Sequence, residues 1–271
     1  MLEVYGNTEV LRAMENMGRS GHVPHAMLLE EDDGGGAFAV ALRFLQMLYE
    51  GNPRVEKLIH PDIHFVFPVA GSDKPVSMQY IAPFRELLLE NPYFFESELY
   101  SAIGIEGKQA VISVNEARSI LDSLSLSAVE GGYRTVVLYL PEKMNVQAAN
   151  ALLKMVEEPP EKTLFLMITH ASEKVLTTIS SRCLHLRIQP LSPEDEVLVH
   201  SREAAANQTL RDLFHDILDA VVSRDLLKAL QTADAVADLK VREQQKAFCV
   251  LASEDLRRIF MLQKSPATAH I

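Results

Sequence analysis

The sequence predicts an α/β domain built on a central parallel sheet, followed by an all-α segment. Three observations carry the prediction. Within residues 131–190, short apolar and β-branched runs at 135–140, 164–169 and 183–188 are separated by stretches of helical spacing. The run at 135–140 has no polar alternation, which suits a strand covered on both faces, and strands joined by a crossover helix pair in parallel. From 194 to 265 there is neither glycine nor proline, and apolar residues recur at helical intervals.

Taken in order, residues 2–19 read as an amphipathic helix with Leu2, Leu11, Met14 and Met17 on its apolar side. Residues 21–25 form a loop in which His22 and His25 read as hydrogen-bonding or exposed side chains. The first core strand is 27–29. Glu30-Glu31-Asp32-Asp33-Gly34-Gly35-Gly36-Ala37-Phe38 follows, then an apolar helix over 39–49. Strand, glycine-rich loop, helix is the setting in which backbone N–H groups cradle phosphate. The side chains such a loop requires are missing. Aligned on Gly34 and Gly36, the first motif glycine is Glu31, the phosphate-reaching lysine is Ala37 and the magnesium-holding hydroxyl is Phe38. Four carboxylates crowd the place of a triphosphate, and each like-charge contact at about 4 Å costs about 1 kcal/mol even in water. The loop should therefore repel a nucleotide, and its glycines serve a tight turn.

His60 and His64 are four apart, but Pro61 breaks any helix between them and Ile63, Phe65 and Phe67 alternate like a strand, so no metal pair is predicted. Residues 71–75 read as a polar turn and 78–107 as a connecting region, with Asn91-Pro92-Tyr93-Phe94-Phe95 an aromatic packing cluster. A strand over 110–114 leads into a helix over 115–124. After the strand at 135–140 comes a helix over 145–158, with Ala148, Ala149, Leu152, Leu153 and Val156 inward and Pro159-Pro160 as its stop. The strand 164–169 ends on Thr169, read as a hydrogen-bonding strand end; 175–180 is a short helix and 183–188 a strand. Beyond Pro190, Leu210, Leu213, Phe214, Ile217, Leu218, Val221 and Val222 mark a strong amphipathic helix. Helical patterning continues over 226–230, 235–239 and 244–262, the last with Phe248, Leu251, Ile259 and Phe260 as core.

Composition narrows the function. Apolar content of 48% and charged content of 23% are those of a globular protein, and no apolar run is long enough to span a bilayer. The charged N-terminus does not read as a secretory signal, and Cys183 and Cys249 cannot build a disulfide framework or a zinc site alone, so the cytoplasm is the default compartment. A net charge of −11 without a dense Lys/Arg cluster argues against autonomous nucleic-acid binding; any work on DNA would be done inside a complex.

The run Ala148-Ala149-Asn150-Ala151-Leu152-Leu153-Lys154, then Glu157-Glu158-Pro159-Pro160, then Ser181-Arg182-Cys183, resembles the clamp-loader AAA+ proteins of bacterial replication, nearest to their delta-prime branch. Pro141-Glu142-Lys143-Met144-Asn145 is similar to the Bacteroidetes form. The resemblance covers roughly residues 1–190 and implies a domain at 1–190 of AAA+ (P-loop-like) type with a degenerate nucleotide site. It implies a helical segment at 191–271 holding an abbreviated lid and part of a collar cut short at Ile271. The family's metal-binding strand ends in acidic residues; here Tyr139 and Leu140 stand there, with no carboxylate placed to hold a magnesium-bound water. Many relatives carry a four-cysteine zinc module before His60-Pro61-Asp62, and residues 49–59 contain no cysteine, so neither zinc nor any cofactor is expected.

In the resembling proteins the arginine at the position of Arg182 lies at a subunit boundary. That implies a clamp-loader subunit without its own ATP chemistry, lending Arg182 in trans to a neighbour's ATP. The implied partners are the loader's ATPase subunits and a delta-type subunit, with the sliding clamp and primed DNA met through the complex. Polymerase activity would belong to the holoenzyme. Two other readings stay open on sequence alone: an ATPase whose Gly34 to Gly36 loop cradles phosphate unconventionally, and an interaction scaffold outside replication.

Overall fold

Five parallel strands form the centre of the first of two compact units. The computed structural model describes residues 4–71, 75–125, 128–199 and 201–237, with 245, 248–249, 251–253 and 255–256 beyond them. Strands β1 (Ala26–Glu30), β2 (Ile63–Val66), β3 (Arg134–Tyr139), β4 (Thr163–Thr169) and β5 (Leu184–Arg187) lie in the order β2-β3-β4-β1-β5. β1 sits between β4 and β5, with Met27 opposite both Leu166 and Leu184. β4 is buried at every position and β1 at all but its last, because helices cover both faces of the sheet.

Of the first unit's helices, α1 (Thr8–Ser20) and α2 (Ala37–Leu48) contribute to one core layer with Met14, Phe38, Phe44 and Leu45. α6 (Val114–Ser125) and α7 (Val146–Glu157) contribute to the other with Ile120, Leu124, Leu152 and Val156. Asn145 starts α7 by accepting the Ala148 N–H at 2.8 Å, a side-chain cap worth about 1 kcal/mol. α3 (Pro53–Glu56) and α8 (Thr177–Ser180) are single turns.

Several expectations are corrected. The first helix begins at Thr8, with Asn7 tied through its side chain to the backbone of Gln189, and Leu2 lies outside the described residues. The region read as a connection over 78–107 holds two helices, α4 (Ile81–Glu90) and α5 (Glu96–Ala102), whose buried Phe84, Leu88 and Leu99 were too sparse to declare a period. The strand expected over 110–114 reduces to isolated bridges at Val69–Val111 and Ile112–Met144. The turn at 71–75 lies partly outside the described residues.

Residues 1–199 form one compact unit and 200–271 another. The first ends with α9 (Pro193–Val199). In the second, α10 (Ser201–Ser223) begins well before the stripe that announces it, and 226–237 is a single helix, α11 (Leu226–Ala237). Leu210, Phe214, Phe248 and Leu251 make its core. Val221 and Val222 were expected on the apolar stripe, yet they are 63% and 83% exposed. Ala220 is buried instead, at the turn where Asp225 N–H donates to its carbonyl before α11. Ile259 and Phe260 lie outside the described residues. Among the described residues no helix is long and apolar enough to cross a membrane.

Candidate functional site

The carboxyl ends of the central strands meet the start of α2. There Glu31, 6% exposed, turns its carboxylate onto the helix, and Ala37 N–H donates to Oε2 at 2.7 Å. Gly36, the residue before the helix, has no side chain to cap it, so Glu31 does so from six residues upstream. Of the four consecutive carboxylates only Glu31 and Asp33 come together, both facing His170 at 3.8 and 3.7 Å. Glu30 pairs with Arg187 at 2.9 Å, and Asp33 Oδ1 accepts the Glu96 N–H at 2.8 Å; Asp32 is exposed.

The loop is covered by the segment leading into α5. Gly34 and Gly36 have φ of 80° and 92°, in the left-handed region that favours glycine. A Cβ on Gly36 would lie 2.2 Å from the Tyr93 ring, and one on Gly34 would lie 2.8 Å from the Phe95 ring. Tyr93 Oη in turn accepts the Tyr5 N–H at 2.7 Å. Phe38 is buried in an aromatic box with Phe84, Phe94 and Tyr139, at centroid distances of 5.9, 5.2 and 5.0 Å.

His170, just past β4, stands among carboxylates: Glu31 at 3.8 Å, Asp33 at 3.7 Å and Glu96 at 3.8 Å, with the Tyr139 hydroxyl at 3.4 Å. Burial pulls its pKa down, but Glu31, Asp33 and Glu142 outweigh that and hold it above its ordinary value. Lys143 pairs with Glu96 and donates to the Tyr100 hydroxyl at 3.0 Å. Just beyond Tyr139 and Leu140 lies Glu142. Leu140, at φ 58°, turns the chain so that Glu142 comes back over β4. Thr169 Oγ1 donates to Glu142 Oε2 at 2.7 Å and His170 N–H to Oε1 at 3.0 Å. Thr169 is thus a hydrogen-bonded strand end. Sequence reasoning missed Glu96, Glu142, Lys143 and His170; the first comes from a distant helix, and the others follow strands by one to four residues with no motif spacing.

Arg182 lies elsewhere. It precedes β5, whose Leu184 is level with Met27, whereas Glu31 follows β1, so the two stand at opposite ends of the strands. Its side chain is 39% exposed; Nη2 pairs with Glu157 of α7 at 2.8 Å and Nη1 donates to the Thr178 carbonyl at 2.7 Å. Ser181 is exposed. The Cys183 thiol donates to the Ile179 carbonyl at 3.3 Å, and burial pushes it up to about 11, which leaves little reactive thiolate.

His60 is buried, accepting the Asp62 N–H at 3.2 Å and lying 3.1 Å from Glu130, while Asp62 accepts the N–H groups of Val129 and Glu130. No group of three or more His, Cys, Asp or Glu side chains among the described residues could hold a metal ion.

Residues 6–192 match the family model described as DNA polymerase III, delta subunit. The chain belongs to the DNA polymerase III delta-prime family. It is 25% identical over 272 residues to DNA polymerase III subunit delta′ of Bacillus subtilis strain 168, covering 94% of this chain and 71% of that protein. Subunit delta′ of Yersinia pestis is 44% identical over 80 residues, which span 30% of this chain and only 23% of that protein. Among solved structures, a DNA polymerase III gamma-subunit-related protein of Thermotoga maritima is 16% identical, with a TM-score of 0.46, covering 88% of this chain and 75% of that one. Like the delta-prime family, the chain is of clamp-loader type.

Proposed function

We propose that this chain serves as a delta-prime-type subunit of a clamp loader, that it neither holds nor hydrolyses ATP in its own cleft, and that it offers Arg182 to a neighbouring subunit's ATP. The observation that carries the reading is the Glu31 carboxylate on the Ala37 N–H, at the point where a phosphate would be received. Mg²⁺-ATP does not fit these residues: no lysine or hydroxyl stands at Ala37 and Phe38, and Tyr93 and Phe95 press on the glycines. Glu142, just beyond Tyr139 and Leu140, is held by Thr169 and His170. The rival reading of an unconventional phosphate cradle has the same carboxylate against it.

Arg182 supports the second half. It stands at the amino end of the edge strand, whereas the chain's own cleft is at the carboxyl ends, and it is exposed enough to meet another subunit. A guanidinium delivered in trans stabilises charge on a transferred phosphoryl group and is worth about a thousandfold or more in rate. The partners on this reading are the loader's ATPase subunits and a delta-type subunit, acting on the sliding clamp and primed DNA. The deciding experiment is Arg182→Ala in the reconstituted loader. The complex should still assemble and clamp- and DNA-stimulated turnover at the ATP site that Arg182 faces should fall about a thousandfold; an unchanged rate would refute the arginine's role.

A further inference from the structure

Glu31 does at the start of α2 what a bound anion does at a glycine-rich loop. α2 is twelve residues long, and its first turn leaves N–H groups unpaired and favours negative charge. Gly36 contributes no side-chain acceptor. Into that position comes a buried carboxylate, bonded to Ala37 N–H at 2.7 Å and facing His170 at 3.8 Å on its other oxygen. Tyr93 and Phe95, in van der Waals range of Gly36 and Gly34, close the loop from outside.

We propose that the loop between β1 and α2 is an anion seat kept filled by the chain's own Glu31, which keeps the turn and the helix start ordered without any ligand. The inference rests on the reading that this cleft carries no nucleotide and adds what fills it. It also specifies what would enter if Glu31 were removed. Asp33, Glu96 and Glu142 remain around His170, so the vacated seat would accept a small monocarboxylate and still refuse a triphosphate.

The test is rescue of a missing side chain. Full-length Glu31→Ala, Glu31→Gln and wild type are unfolded by heat in sodium acetate and in sodium chloride at matched ionic strength. Glu31→Ala should lose about fivefold in its folding equilibrium, the usual effect of losing a helix cap. Acetate at ten times its dissociation constant should then return about elevenfold, in that variant alone. Glu31→Gln fills the same space with an amide and should show no acetate-specific gain, as should wild type. If Glu31→Ala does not fold in chloride, its refolding yield with and without acetate reads the same quantity. An alanine variant that responds to acetate no more than wild type overturns the inference. Mg²⁺-ATP titrated into the wild type in parallel separates the two ideas: binding there would sink the proposed function, whereas failed acetate rescue without ATP binding would sink the seat alone.

Discussion

At Gly36 the backbone and the neighbouring ring make the same demand. Its φ of 92° suits only glycine, and a Cβ would stand 2.2 Å from Tyr93. Gly36→Ala should therefore cost about 2 kcal/mol or more by urea denaturation, and adding Tyr93→Ala should recover part of the loss, since only the clash and not the strain is relieved. His170 makes a different prediction. Its folded pKa lies above the ordinary 6.5, so its contribution is full below that value and fades as pH rises through the higher folded value. The groups facing it are Glu31, Asp33, Glu96, Glu142 and Tyr139, all acidic or neutral, with Lys143 committed to Glu96. Between about pH 6 and about pH 9 the wild type should lose more stability than His170→Gln, measured as the difference in Tm. Equal slopes would show that the imidazole carries no linked proton there.

At the scale of elements, what a single strong local signal announces was legible, and what tertiary context decides was not. The three strands of 131–190 and the helix between the first two stood out because β-branched runs, helical spacing and Pro159-Pro160 agree. Asn145→Ala should cost about 1 kcal/mol without changing the fold, measured by chemical denaturation, because only the Ala148 N–H loses its acceptor. α4 and α5 went unread, since their few buried residues answer to the aromatic cluster around Phe84 rather than to a period of their own. The bridges at Val111 and Ile112 failed to extend because the chain there touches a different partner at each residue. The loop between β1 and α2 was legible in what it lacks. Its occupant was not, because nothing in the order of four acidic residues tells which one folds back.

Over the whole first unit, the parallel sheet separates two sites that a list of motifs would merge. Glu31, Thr169, Glu142 and His170 gather at the carboxyl ends of the strands, while Arg182 stands before the edge strand at their amino ends. A cation so placed stands apart from the carboxylates at the cleft of its own chain, which supports the proposed role toward a neighbour. The central claim is narrower: the chain's own carboxylate and aromatic side chains have taken the nucleotide's place. Calorimetric titration of the purified chain with Mg²⁺-ATP tests it most directly. The account predicts no heat of binding up to millimolar ATP, about 4 kcal/mol of affinity or less. A micromolar dissociation constant, abolished by substitution at Gly34 or Gly36, would contradict it.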